Sequence, residues 1–508
     1  MHVPLNVRDF LDRAATVYPE RIAIVDEPQQ PTPSWGTVTW YEAHQLARAQ
    51  AANLDRLGVP VGGRVAIMSQ NSARLLVSLF GVSGSGRILV PINFRLSPAE
   101  VQYIVEHSGA DVVMLDEPFA HLADRLQGCR VFILGGDDDE LWGEAGQPAL
   151  WEGDETATAT INYTSGTTAR PKGVELTHRS LWLNASIFGW QLGVNDDDVY
   201  LHTLATFHCN GWGMPYSVTG MGGRHIVLRD IDGHEILRRV RDHGVTLLCA
   251  APAVMHLVLD ALSSWEGPVP GRDAVRVVVA GAPPPSRTVE RIRDELGWEF
   301  IQIYGMTETS PLLTMSRMRR EWSDAPAQEQ ASRLSRAGSP ALGVTVRVDD
   351  EGEVQARTNH ALARYWQDPE ETARAHVDGW FRTGDGGTWE DGTLTVLDRK
   401  KDVIVSGGEN VSSIEVEDAL MSHRAVREVA VIGVPDDKWG EAVTALVVLS
   451  DPSVTPAELI AHCRTRLAGY KCPKRVELRD GLERTATGKL QKFKLREPYW
   501  AGKDRLVN

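Results

Sequence analysis

At 508 residues, with 42% hydrophobic and 24% charged content, the chain is long enough for several cores and has the make-up of an ordinary soluble globular protein. No apolar run reaches the roughly eighteen residues that a membrane span needs, the start Met1-His2-Val3-Pro4-Leu5 lacks a signal peptide's apolar core, and five scattered cysteines form no Cys-x-x-Cys pair. These features point to a reducing, cytoplasmic setting, and a net charge of −15 argues against non-specific nucleic-acid binding.

In chain order, 8–16 reads as a helix, 21–25 as a strand and 41–57 as a helix. A buried strand is predicted at 64–68, a helix at 71–81 and a strand at 88–91. Ser97-Pro98-Ala99-Glu100 is a capping box with proline in the first helical turn. Further strands are predicted at 112–115, 131–134, 226–228, 246–250 and 275–280. Short apolar strands alternating with helices imply parallel sheets covered on both faces. The acidic, Gly-rich stretch 136–158 reads as a loop, 158–163 as a strand, and Thr177 opens a helix. Strands at 428–434 and 442–449 and a helix at 456–467 make a small α+β unit at the carboxyl end.

Charge is unevenly placed. Nine of the ten lysines lie from Lys400 onward; there 18 Lys/Arg stand against 16 Asp/Glu, leaving −17 on residues 1–399. Within 464–505 the balance is 13 against 5. This shift suggests a boundary near 400, with domains 1–399 and 400–508.

Thr164-Ser165-Gly166-Thr167-Thr168-Ala169-Arg170-Pro171-Lys172-Gly173 joins a run of hydroxyls to glycines and the sole lysine of the first 399 residues. Backbone N–H groups, hydroxyls and one ammonium suit a phosphate, although Gly/Ser/Thr loops are also ordinary surface punctuation. The spacing is not Gly-x4-Gly-Lys-Ser/Thr. Phe207-His208-Cys209-Asn210-Gly211-Trp212 sets a histidine among aromatics, most often a core arrangement. Gly281-Ala282-Pro283 follows a strand, where ligands of open sheets bind. In Tyr304-Gly305-Met306-Thr307-Glu308-Thr309 an aromatic can stack, a hydroxyl can reach phosphate, and a carboxylate can hold Mg²⁺. Asp385, in Gly379-Trp380-Phe381-Arg382-Thr383-Gly384-Asp385, can accept two hydrogen bonds. A second glycine–lysine loop, Thr485-Ala486-Thr487-Gly488-Lys489, lies in the basic tail.

Taken together, these motifs resemble those of the adenylate-forming superfamily of acyl-CoA synthetases, luciferases and peptide-synthetase adenylation domains, and most closely medium- and long-chain fatty-acyl-CoA ligases. The likeness runs from about 8 to 496. It departs at Ala169, where the pattern has glycine, in a short 345–358 segment, and at Arg357-Thr358, where Arg-Gly is usual. The resemblance implies a large α/β domain of parallel-rich sheets covered by helices, with a β-barrel-like subdomain, and a mobile α+β domain. It assigns Thr164, Ser165, Gly166, Thr167, Thr168 and Lys172 to phosphate, and Gly281, Ala282, Pro283, Tyr304, Gly305 and Met306 to adenine. Thr307 falls to phosphate, Glu308 to Mg²⁺, and Asp385 and Arg399 to ribose. Phe207, His208, Asn210, Gly211 and Trp212 line the acyl site, with Trp212 as gate and His208 at the reacting edge. Lys401 is the hinge, and Lys489 bridges the carboxylate and α-phosphate. Ser406, Gly407, Gly408 and Glu409 face the pantetheine tunnel, and Lys471 and Lys474 the CoA phosphates.

The implied activity is ATP- and Mg²⁺-dependent adenylation of a carboxylic acid, then transfer of the acyl group to CoA. No aspartate follows the 207–212 stretch to meet an α-amino group, so the acid is expected to be uncharged, fatty or aryl. A carrier protein or amine as acceptor, nitrite as the activated acid for diazotisation of an aryl amine, and a non-catalytic nucleotide sensor are the alternatives. A sensor would need a defective Lys489 or Glu308, and neither is missing. The expected partners are small molecules only, with no nucleic acid, in a monomer or homodimer.

Overall fold

The computed structural model describes residues 1–164, 171–399, 403–407, 409–436, 438–484 and 490–501; the side chains at 137, 138, 398 and 399 also lie outside the description. Two large sheets hold most of the chain. The first runs Arg364–Tyr365, Lys172–Thr177, Thr158–Thr164, Ile88–Ile92, Arg64–Met68, Ala110–Leu115, Arg130–Ile133. Its middle strands are parallel. Ile88–Ile92 is buried at every position, as a strand covered on both faces must be. Helix Pro98–Ser108 begins at the predicted capping box, Ser97 and Glu100 each accepting from the other's backbone N–H. Gly109 ends it at φ +63°.

The last parallel strand, Thr158–Thr164, turns back into antiparallel Lys172–Thr177, with Thr164 opposite Lys172. Register therefore fixes Thr164 and Lys172, two described residues of the phosphate-like motif, side by side. Thr177 caps the helix His178–Leu192, accepting from Ser180 N at 3.0 Å.

The second sheet has nine strands, ordered Ser339–Pro340, Leu312–Ser316, Glu299–Gly305, Arg276–Val279, Leu247–Ala250, Val199–His202, Arg224–Val227, Ile22–Val25, Thr37–Thr39. The middle six are parallel and the outermost pairs antiparallel. Buried Asn71, just past a strand of the first sheet, locks the two together. Its Nδ2 donates to the carbonyls of His202, Leu204 and Leu228 at 3.0–3.1 Å, and its Oδ1 accepts from Thr206 N at 2.9 Å. Arg229 and Asp116, both buried, add an ion pair at 2.7 Å.

A separate five-stranded antiparallel sheet spans 344–399. A last five-stranded sheet, built between 404 and 478, has its own core around Ile404, Leu420, Val431, Val443 and Leu459. Ser286 N donates to Asp418 Oδ1 at 2.9 Å across to that unit. The stretch 136–158 is not wholly loop: the 3-10 turn Asp137–Trp142 buries Leu141 and Trp142, with Trp142 edge-on to Trp35 at 5.5 Å. Acidic composition hid two core side chains there. Among the described residues no helix is long and apolar enough to cross a membrane.

Candidate active site

Lys172, the lysine of the phosphate-like stretch, opens the strand Lys172–Thr177, and its ammonium is ion-paired with Glu371. Glu371 sits in the first turn of the short helix Pro369–Ala375, where its N–H is capped by Asp368 at 2.9 Å. Its other oxygen lies 3.3 Å from Arg374. Lys172 Nζ is also 5.6 Å from the centre of the Tyr365 ring. Tyr365 in turn donates its hydroxyl proton to Glu308 Oε1 at 3.0 Å. Burial, then the neighbouring Glu308 carboxylate, push the phenol's pKa up, so it stays a donor. One ring thus touches both the phosphate-lysine candidate and the metal-carboxylate candidate.

Behind it, Tyr163 and His107 Nδ1 are 2.8 Å apart, and the His107 carbonyl accepts from Trp366 Nε1 at 2.9 Å. Burial lowers the imidazole's pKa and raises the phenol's, so the pair favours two neutral groups.

The strand Glu299–Gly305 ends at the second motif. Tyr304 donates to Asp385 Oδ2 at 2.8 Å, joining the predicted adenine and ribose residues. Gly305 admits no side chain, since a Cβ would lie 1.7 Å from the Pro311 carbonyl oxygen. Met306 N is held by Thr309 Oγ1 at 3.2 Å, and Thr307 is buried. Gly281 and Ala282 are exposed just past the strand Arg276–Val279, with Pro283 half-buried beside them.

The 207–212 stretch packs inward. Phe207, Cys209, Asn210 and Trp212 are buried, and His208 is half-buried. Phe207 meets Phe94 edge-on at 5.5 Å, and Phe94 stacks on Phe119 at 6.2 Å. Gly211 takes φ +58°.

In the carboxyl-terminal unit, Ser406 is buried on the strand Ile404–Ser406 and pairs in register with Glu409. Gly407 adopts φ +63° against the Trp439 ring. Lys471 is ion-paired with Glu415 at 2.7 Å. Lys474 donates to the Gly469 carbonyl at 3.2 Å and lies 5.2 Å from the Trp439 ring. Ser165, Gly166, Thr167, Thr168, Lys401, Gly408, Lys489 and the Arg399 side chain lie outside the described residues. Lys172, Glu308, Thr164, Tyr304 and Asp385 gather near the carboxyl ends of strands from both large sheets, where open sheets take ligands. Tyr365 and Glu371 join them without having been predicted. The Asp368-Pro369-Glu370-Glu371 helix start was the only local signal, and it marks a cap, not a site.

A family model described as AMP-binding enzyme matches residues 11–361, and one described as AMP-binding enzyme C-terminal domain matches 415–489. The chain is 35% identical to a 2-methylpropanoate–CoA ligase of Humulus lupulus, covering 97% of this chain and 95% of that one. It is 36% identical to a 4-hydroxybutyrate–CoA ligase of Metallosphaera sedula, over 96% and 93%. Among solved structures, o-succinylbenzoate CoA synthetase of Bacillus subtilis with its acyl-adenylate intermediate superposes at TM-score 0.82 and 29% identity, over 96% and 97%. The same enzyme with ATP and magnesium ion gives 0.81 and 29%, over 96% and 99%.

Proposed function

Because this chain belongs to the AMP-binding enzyme family, we propose that it is an AMP-forming acid–CoA ligase acting on ATP, a carboxylic acid with no charged group besides its carboxylate, and coenzyme A. The carboxylate attacks the α-phosphorus of ATP; the bond to the β-phosphate oxygen breaks, and pyrophosphate leaves. The CoA thiolate then attacks the acyl carbon and AMP departs with the mixed-anhydride oxygen. The observation that carries this reading is the Lys172–Tyr365–Glu308 cluster beside the Tyr304–Asp385 pair: cation, oxygen donor, flat ring and carboxylate in one place.

Such phosphoryl chemistry needs positioning and charge neutralisation more than acid–base work. Lys172 and the Thr164–Thr168 stretch (158–168 with its strand) hold the phosphates, Tyr304 faces adenine, and Asp385 takes the ribose hydroxyls. Among the described residues no three His, Cys, Asp or Glu side chains converge as a metal cage. That fits Mg²⁺ held by the single carboxylate of Glu308 together with nucleotide oxygens. When bound, the ion would neutralise charge on the leaving pyrophosphate. Glu308 is kept aimed by the Tyr365 hydroxyl.

Residues 1–399 and 400–508 act as two domains about Lys401. Lys489 serves the first half-reaction; after rotation, the Ser406, Gly407 and Glu409 strand pair faces the pantetheine arm. Phe207 and the Phe94–Phe119 stack make an aromatic wall suited to an aliphatic or aryl acyl group, and Trp212, buried five residues on, faces the same group. The test is an acid panel assayed for pyrophosphate release, with and without CoA. Acid-dependent release and CoA-dependent thioester are expected. Release without any thioester would turn the reading to a carrier protein, an amine or nitrite.

A further inference from the structure

Cys209, Asn210, Gly211, Trp212 and Gly213 carry φ of +39°, +44°, +58°, +57° and +79°. Five consecutive residues are left-handed, and three of them are not glycine. L-residues avoid this region because Cβ crowds the carbonyl oxygen. Such backbone persists only where its surroundings over-determine it, and it concentrates at ligand sites.

The surroundings are specific. Asn210 Nδ2 donates to Thr160 Oγ1 at 3.2 Å and to the Tyr216 hydroxyl at 3.4 Å. Asn162 Nδ2 donates to the same Thr160 oxygen at 2.8 Å. All four side chains are buried. On the turn's other side, Asn184 Oδ1 accepts from Leu312 N at 3.1 Å, and its amide stands 2.6 Å from where a Cβ on Gly213 would lie. Among the described residues Asn162 Oδ1 and Asn210 Oδ1 have no partner. A turn needing only packing would be better served by apolar side chains than by buried carboxamides left half-satisfied. Thr160 lies on Thr158–Thr164, the strand that ends at the phosphate stretch.

We propose that Thr160 is a positioning residue for acid selection: its hydroxyl oxygen gathers the carboxamides of Asn162 and Asn210, and so holds the left-handed turn that presents Trp212 to the acid. The turn that measures the acid is thereby fixed to the strand that leads to the phosphates. This rests on the reading of Trp212 as part of the acid site.

The experiment compares full-length Thr160→Val, which keeps shape and loses the acceptor, with Thr160→Ser, which keeps it. Pyrophosphate release is followed over a graded series of straight-chain and aryl acids, alongside KM for ATP and the melting temperature. Thr160→Val is expected to raise KM for the preferred acid by about ten-fold, the equivalent of one buried hydrogen bond, and to shift the preferred length. KM for ATP should stay within about two-fold, and Thr160→Ser should restore the parent profile. A Thr160→Val enzyme with the parent acid profile, or with both KM values raised alike, overturns the proposal. Should Thr160→Val not fold, Asn162→Ala decides on the same readouts, since it removes one donor and leaves Thr160 in place. Trp212→Ala run in parallel separates the two ideas. An unchanged acid profile there, with a shifted one in Thr160→Val, overturns the reading of Trp212 and with it the proposal; the reverse pattern overturns the brace alone and leaves Trp212 in the acid site.

Discussion

The Tyr304 hydroxyl donates to Asp385 Oδ2 at 2.8 Å, although 81 residues separate the two in the chain. The bond joins the end of a strand in the nine-stranded sheet to the antiparallel sheet spanning 344–399. A ring able to stack on a base and a carboxylate able to grip a sugar diol therefore share one rigid frame. Asp385→Asn keeps the shape and loses the charge. It should raise KM for ATP about 10–100-fold, in line with about 1.5–3 kcal/mol for hydrogen bonds to a charged group. Tyr304→Phe keeps the ring and should cost about 1 kcal/mol. Calorimetric titration with AMP reads both; an Asp385→Asn protein binding AMP as tightly as the parent would remove this pair from the nucleotide site.

Lys172 is paired with Glu371 on an element nearly 200 residues away, and both side chains are only about a quarter exposed. An incoming polyphosphate has to compete with that carboxylate. Lys172→Ala should weaken ATP binding by about 10–100-fold, because the phosphates then lack one charge-assisted hydrogen bond. Glu371→Gln should move KM for ATP the other way, downward by a few-fold, because the cation no longer has a resident anion. ATP-dependence curves of acid adenylation decide. A rise in KM for ATP in Glu371→Gln would mean that the glutamate orients the lysine rather than competing for it.

The two half-reactions should separate in two variants. Lys489→Ala should cut acid-dependent pyrophosphate release by about 10²–10³, the typical effect of removing one donor fixed on developing charge. Given synthetic acyl-AMP and CoA, the same protein should form thioester at near the parent rate. Lys401→Pro should behave oppositely, since proline fixes φ near −65° where a hinge must swing. Single-turnover assays of each step provide the comparison. Both steps falling together in Lys489→Ala, in a folded protein that binds ATP, would refute a two-orientation mechanism.

Acid should destabilise the fold through buried neutral histidines. Burial holds His178 and His225 down to about 3, and His202 well below 6.5, with His225 beside it. His178 Nδ1 accepts from Val7 N at 3.3 Å, and His202 and His225 are 3.0 Å apart. Unfolded, each ring binds a proton near pH 6.5. Below that pH the unfolded chain holds more protons, so this stability is complete above 6.5 and declines as pH falls toward 3. By pH 5 the loss should be on the order of 1–2 kcal/mol per ring. Urea midpoints taken from pH 8 to 5 measure it; a flat profile would contradict the burial of these rings as neutral groups.

Much of this protein was legible in the linear chain because the relevant physics is local. Runs of four to six apolar residues specify doubly covered parallel strands, and Ser97 with Glu100 specifies a helix start; both need only neighbours a few residues away. The phosphate-like stretch, Tyr304 to Glu308, and Asp385 were nameable because each motif is short and its chemistry contiguous. The partners were not. Glu371 beside Lys172, Tyr365 on Glu308, and Thr160 under Asn210 are pairs 199, 57 and 50 residues apart. No composition or period encodes such a pair, because sheet order and register decide which strand ends meet. Trp142 stayed hidden because an acidic stretch outweighed one aromatic in any window read along the chain. The left-handed turn shows the same division most sharply. Positive φ at Cys209 and Trp212 opposes those residues' own preferences. Only packing and hydrogen bonds from another sheet can hold it, so the sequence determined which residues stand there and the tertiary structure decided their conformation.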